Sequence, residues 1–188
     1  MSWFRKHFPP RSALIYIFIF SLTFNTSLSG NQNKNKGVPT QEDLEFLNKI
    51  VEEIGFEGEI IISVGPYYKA KKINLSNGVT LLINNKDFKA PSFLFFDGNV
   101  GVYYILIDYL FYKNFTAEEK KFVIAHEVGH AQNPNLRVSI LAEQKADEFA
   151  LRYVSIETAI GFLEKYSEPD EEDIKKQRIG NLHRVKQG

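Results

Sequence analysis

The chain of 188 residues contains no cysteine, which rules out a disulfide frame and thiolate metal ligation alike. Neither sign of charge is in excess. The 23 Lys and Arg balance 23 Asp and Glu, so no basic field argues for nucleic acid as a partner. There is no internal repeat, no Gly-rich phosphate loop and no serine nucleophile motif. Long apolar runs are also missing. The stretch Ala13 to Phe24 has only twelve residues, short of the about 20 that a membrane span needs. The length suits one domain with a real core.

That twelve-residue stretch follows an n-region with Arg5, Lys6 and Arg11 and no acid, and it precedes small residues at Ser27 and Ser29. This is the layout of a secretory signal cleaved near Ser29 or Gly30. A retained anchor through residues 12–28 is the alternative, and a buried core strand a second one. Either export reading places the rest of the chain on the periplasmic or extracellular side of a cytoplasmic-type membrane. Residues 1–30 are therefore assigned to a signal peptide or N-terminal anchor. The polar run over 31–39 is a linker, and 40–188 form a single domain.

Thr40 and Asp43 have the spacing of a capping box, ahead of Leu44, Leu47, Ile50, Val51 and Ile54 at helical intervals. The period then changes. Ile60 to Val64 predicts one strand, and Val79 to Ile83 another after the Asn77-Gly78 turn. Lys69, Lys71 and Lys72 between them read as a solvated edge, with an acidic partner as the alternative. Phe93 to Phe96 and Val100 to Ile107 flank Asp97-Gly98, a pair that favours a two-residue hairpin. Val100 to Ile107 is the candidate strand to line a cleft and pair with an extended peptide; an interior strand is its alternative. Tyr103, Tyr104, Tyr109 and Tyr112 are candidates for a pocket lining or for plain core.

From Thr116 to Gln132 the chain reads T-A-E-E-K-K-F-V-I-A-H-E-V-G-H-A-Q, with Thr116 and Glu119 at capping-box spacing and Asn133-Pro134 as the stop. Residues four apart share a helical face, so His126 and His130 project side by side and can hold one metal ion. In an H-E-x-x-H arrangement the glutamate, here Glu127, is the general base beside the metal. The alternative is an amphipathic helix whose histidines fall at this spacing by accident.

Two imidazoles leave a tetrahedral zinc short of a protein ligand. A second helical run, Leu136 to Val154, carries the stripe Ile140, Glu143, Asp147, Ala150, Leu151 and Val154. Two acids one turn apart on an otherwise apolar stripe are unexpected in mere packing. In an antiparallel pair Glu143 would stand level with His126, each about 9–10 Å from the turn. The reading is Glu143 as third ligand and Asp147 as the acid that orients a ligand histidine. The competing reading makes both acids solvated charges, paired with Lys145 or Arg152. Glu148 lies about 140° around the helix from Glu143 and faces elsewhere.

His126-Glu127-Val128-Gly129-His130, then Glu143-Gln144-Lys145-Ala146-Asp147-Glu148-Phe149-Ala150, closely resembles the gluzincin metallopeptidases. More narrowly, it is similar to the family of the CAAX prenyl endopeptidases and the membrane heat-shock protease, with its HExGH and ExxADxFA patterns. Arg178-Ile179-Gly180-Asn181-Leu182 resembles that family's closing R-I-x-x-L helix. The resemblance covers roughly residues 106–185. It implies a single zinc held by His126, His130 and Glu143, with Glu127 as general base and peptide bonds as substrate.

Ser155 predicts a helix over 156–166, and Pro169-Asp170 a last helix to about His183. Arg178, His183 and Tyr153 are the candidates for donating to the oxyanion that forms as a carbonyl is attacked. The expected fold is α+β and zincin-like. A small, mostly antiparallel sheet would pack on the histidine-bearing helix and its antiparallel, glutamate-bearing partner. The expected function is a zinc endopeptidase acting on polypeptides that are exported or membrane-associated. A zinc-bound, non-catalytic scaffold or chaperone-like binding module is one alternative; a structural protein with an accidental motif is the other.

Overall fold

The computed structural model describes residues 37–67, 72–74, 80–82, 90–136, 139–168 and 171–187. The apolar N-terminal segment with the expected cleavage site, most of the expected linker, Lys69, Lys71 and the expected Asn77-Gly78 turn lie outside them. The described residues form an α+β unit. In chain order they make α1 (Gln41–Glu53), β1 (Glu59–Gly65), β2 (Lys72–Asn74), β3 (Thr80–Leu82), β4 (Ser92–Asp97) and β5 (Val102–Asp108). There follow α2 (Tyr109–Tyr112), α3 (Ala117–Gln132), α4 (Ile140–Ala150), α5 (Ile156–Tyr166) and α6 (Glu172–Gln187).

Local chemistry starts the helices where the sequence places their caps. Thr40 accepts from the Asp43 amide while the Asp43 carboxylate accepts from the Thr40 amide at 2.9 Å. Thr116 and Glu119 repeat that reciprocal bond at 3.1 and 2.7 Å, and Ser155 caps α5. The helix after the Asn133-Pro134 turn differs from expectation. It begins at Ile140 rather than Leu136, because the Ser139 hydroxyl accepts from the Ala142 amide and acts as N-cap. Glu143 consequently stands in the first turn of α4. The last helix runs on to Gln187, past the expected end at His183.

The sheet corrects two further expectations. Its order is β1-β5-β4, with β1 and β5 parallel and β4 and β5 antiparallel, so it is mixed rather than mostly antiparallel. β5 therefore lies in the middle with both edges occupied, and among the described residues β4 is an edge strand. A separate antiparallel ladder joins β2 to β3. The β4–β5 loop has four residues, 98–101, since Asp97 pairs with Val102. Asp97 stays in its strand, its carboxylate accepts from the Asn99 amide, and the positive φ of the loop falls at Gly101 rather than Gly98.

Strand alternation gives the sheet two apolar faces. Ile62, Val64, Ile105 and Ile107 look toward the helices, while Val102, Tyr104 and Leu106 pack with Tyr67 and Ile73 on the other side. Tyr104 is thus core. Tyr103 stacks on Phe96 at 4.5 Å, and Tyr109 packs against the helix-side core. Between β5 and α3 lies α2, a single turn capped by Asp108.

Tyr112 of α2 ties three helices together. Its hydroxyl donates to Asp43 and accepts from the Thr40 amide at 2.9 Å, and Lys120 of α3 lies 4.1 Å from its ring centre. Burial, then the bond to Asp43, pushes the Tyr112 pKa up to about 12. The folded-state value exceeds the unfolded one of about 10, so its contribution is complete below pH 10 and vanishes as pH rises through 12. Tyr112→Phe should cost about 1 kcal/mol near neutrality. The gap between variant and unaltered protein should then close above pH 10 in urea-unfolding titrations.

α3 is the central helix, and every residue from Phe122 to Gly129 is buried. It can approach α4 closely only because position 129 has no side chain. A Cβ there would lie 2.9 Å from Ala146 Cα and 3.2 Å from Ala146 O, both backbone atoms that cannot yield alone. Gly129→Ala should therefore lower the unfolding free energy by about 1–3 kcal/mol. On α5, a Cβ at the exposed Gly161 meets nothing within 4 Å. The same change there should stabilise by about 0.5–1 kcal/mol, with denaturant unfolding measuring both.

Candidate metal centre

The α3–α4 contact brings three expected side chains together. His126 and His130, one turn apart on α3, have their Nε2 atoms 3.1 Å from each other. Glu143 reaches across from α4, with Oε2 3.4 Å from His126 Nε2 and Oε1 3.4 Å from His130 Nε2. Ligands about 2.0–2.1 Å from a tetrahedral ion lie about 3.3 Å apart, so the observed separations fit one ion. Among the described residues, these three form the group of His, Asp and Glu side chains able to hold a metal ion.

Behind the imidazoles sits Asp147, one turn beyond Glu143 and wholly buried. Its Oδ1 accepts from His126 Nδ1 at 2.9 Å, which puts the ring hydrogen on Nδ1 and turns Nε2 toward the Glu143 carboxylate. Arg178 of α6 closes the arrangement. Nε and Nη2 donate to Asp147 at 2.8 and 2.7 Å, and Nη1 lies 3.0 Å from Glu143 Oε2. Each of its three nitrogens thus meets a carboxylate, which ties α6 to Glu143 and Asp147 of α4.

The electrostatics follow from burial. Burial disfavours ionisation of both Glu143 and Asp147. For Glu143, hydrogen bonds from His126 and His130 and the charge of Arg178 outweigh it; for Asp147, the Arg178 charge and hydrogen bonds do. Both carboxyls are held well below the usual carboxylate range. Burial alone would lower the His126 pKa, yet hydrogen bonds to Asp147 and Glu143 and their charges raise it to about 10. With neutral imidazoles, three carboxylates (Glu127, Glu143 and Asp147) against the single guanidinium of Arg178 leave a net charge of minus two. A divalent cation neutralises that charge, and a nitrogen, nitrogen, oxygen donor set suits a borderline metal.

Glu127 is buried at 3% exposure, and its Oε1 accepts from the Ser92 hydroxyl at 2.7 Å. Ser92, at the start of β4, went unnoticed in the sequence. A polar residue opening the alternating file Ser92, Leu94, Phe96 was the signal that could have found it. The remaining candidates go elsewhere. His183 is exposed on α6, about 140° around that helix from Arg178. Tyr153 packs edge-on against Phe46 of α1 at 5.8 Å and against Phe149. Glu148 pairs with Lys145 and accepts from Asn181 at 2.9 Å, facing α6 rather than the imidazoles.

Comparison of the chain with family models, curated proteins and solved structures finds no match. What the site does therefore has to be argued from its own atoms. If Asp147 fixes the His126 ring, Asp147→Asn should weaken metal binding about 10- to 100-fold in chelator competition. The same change strips Arg178 of its main partner and should cost about 3 kcal/mol of stability in urea unfolding.

Proposed function

We propose that the protein is a zinc endopeptidase that hydrolyses peptide bonds, with His126, His130 and Glu143 holding one zinc and Glu127 as general base. The observation that carries this reading is the convergence of two imidazoles and a carboxylate at tetrahedral separations, with a further carboxylate on the adjacent residue. A zinc ion held there supplies Lewis acidity for the scissile carbonyl and lowers the pKa of its water to about 7. Glu127 takes the proton of the attacking water and passes it to the leaving amine. Asp147 and Arg178 keep the ligand side chains in place. The likeness of both helices to the gluzincin patterns supports the same reading, as does the small sheet beside α3.

The substrate would lie along β4 rather than along Val100 to Ile107, because β5 is paired on both sides. Among the described residues no strand pairs with the outer edge of β4. An extended peptide added there would gain main-chain hydrogen bonds beside Glu127. The signal-like N-terminus supports exported or membrane-associated polypeptides as substrates.

Zinc stoichiometry of the purified full-length chain, together with a broad peptide-cleavage screen, tests the proposal. Glu127→Gln should keep one zinc per chain and reduce cleavage by about 100-fold or more. A chain that holds zinc but cleaves nothing would be a binding module, and one without stoichiometric zinc would leave the motif an accident of spelling.

A further inference from the structure

Ser92, Leu94 and Phe96 share one side of β4, opposite Ile107, Ile105 and Tyr103 of β5. That side packs toward the helices, where Leu94, Ile105 and Ile107 belong to the apolar core. An aliphatic residue would suit the first position of this file as well as the second. The position holds a hydroxyl instead, and that hydroxyl donates to Glu127 Oε1 at 2.7 Å. The strand end itself is fixed, since the Asp108 amide donates to the Pro91 carbonyl at 3.0 Å and Ser92 is in register with Ile107.

A glutamate carboxylate ends three rotatable bonds, and its last torsion is soft. Glu127 leaves α3 from a rigid, buried backbone, so the uncertain part of its geometry is the rotation of the carboxylate. A hydrogen bond to an ionised acceptor is among the stronger kinds and is directional. Made from the sheet rather than from α3, it holds the carboxylate at its far end. One oxygen, Oε1, is thereby occupied.

We propose that Ser92 is a positioning residue for the general base: it fixes Oε1 of Glu127 so that Oε2 meets the proton of the attacking water. This rests on the peptidase reading. It goes further by making the edge strand part of the catalytic apparatus as well as a surface for substrate. A merely structural Ser92 would affect folding and metal loading; a positioning Ser92 affects turnover.

The test uses zinc-loaded full-length protein, unaltered and as Ser92→Ala and Ser92→Thr, with glutamate labelled by carbon-13 at the side-chain carboxyl. The Glu127 signal is assigned by its loss in Glu127→Gln. Ser92→Ala should lower kcat about tenfold or more while KM stays within about twofold and zinc content is unchanged. The Glu127 carboxyl signal should move with the other glutamates in place, and Ser92→Thr should restore both signal and kcat. Unaltered kcat in Ser92→Ala overturns the proposal, as does a loss of activity that only tracks lost zinc or lowered thermal stability. If the unaltered protein cleaves no peptide, the peptidase reading falls and the carboxyl signal decides. A signal displaced in Ser92→Ala and restored in Ser92→Thr shows that Ser92 orients the Glu127 carboxylate, though not for catalysis; an unmoved signal overturns that orientation as well.

Discussion

The buried carboxylate of Asp147 is the point at which three helices are joined. It stands on α4, orients His126 on α3 and receives two hydrogen bonds from Arg178 on α6. An ionised carboxylate with no exposure is tolerated only when its lone pairs are filled by good donors. Each donor is therefore constrained in turn. The imidazole must present Nδ1, and the guanidinium must lie flat across the carboxylate, which fixes α6 against α4. Glu143, one turn earlier on the same helix, shares both partners. Displacing any one of the three helices would leave a charge buried without its counterpart.

That network also sets what the site demands from solution. The carboxylates of Asp147 and Glu143 favour positive charge on the His126 ring and raise its pKa against the effect of burial. Metal ligation needs the neutral ring, so a metal ion and a proton would compete for it. Arg178 meets only part of the negative charge, and the group of His126, His130 and Glu143 could hold a metal ion. Because the ligands come from two different helices, binding free energy becomes stability of the α3–α4 pair. The missing side chain at Gly129 is what allows that pair to close to ligating distance.

The features legible in the sequence are those whose physics is local. Capping boxes span four residues, and the face shared by His126 and His130 follows from one helical turn; both are read without knowing the fold. Glu143 and Asp147 were legible for a related reason, since two acids on an apolar stripe require a buried purpose. Pairing across the sheet was not legible. The parallel match of β1 with β5 joins residues more than forty apart, and it alone decides that β5 is interior and β4 the edge. Arg178 was noticed as a cation, but whether it meets a substrate oxygen or Asp147 depends on how α6 docks. Ser92 breaks the apolar file of β4, but which residue its hydroxyl meets depends on how the sheet packs on α3.

The site thus draws on elements that answer to different constraints. Holding the cation belongs to α3, α4 and α6, where burial and ion pairing leave little freedom. Orienting Glu127 belongs to a strand at the edge of the sheet, with less packed around it. Among the described residues no strand pairs with the outer edge of β4, and a sheet edge is where an extended chain can be added. A peptide settling on β4 would brace the strand that carries Ser92, and through it the carboxylate of Glu127. On the proposed reading, peptide binding and orientation of Glu127 would then share one element, while the metal-ligating side chains stand on others.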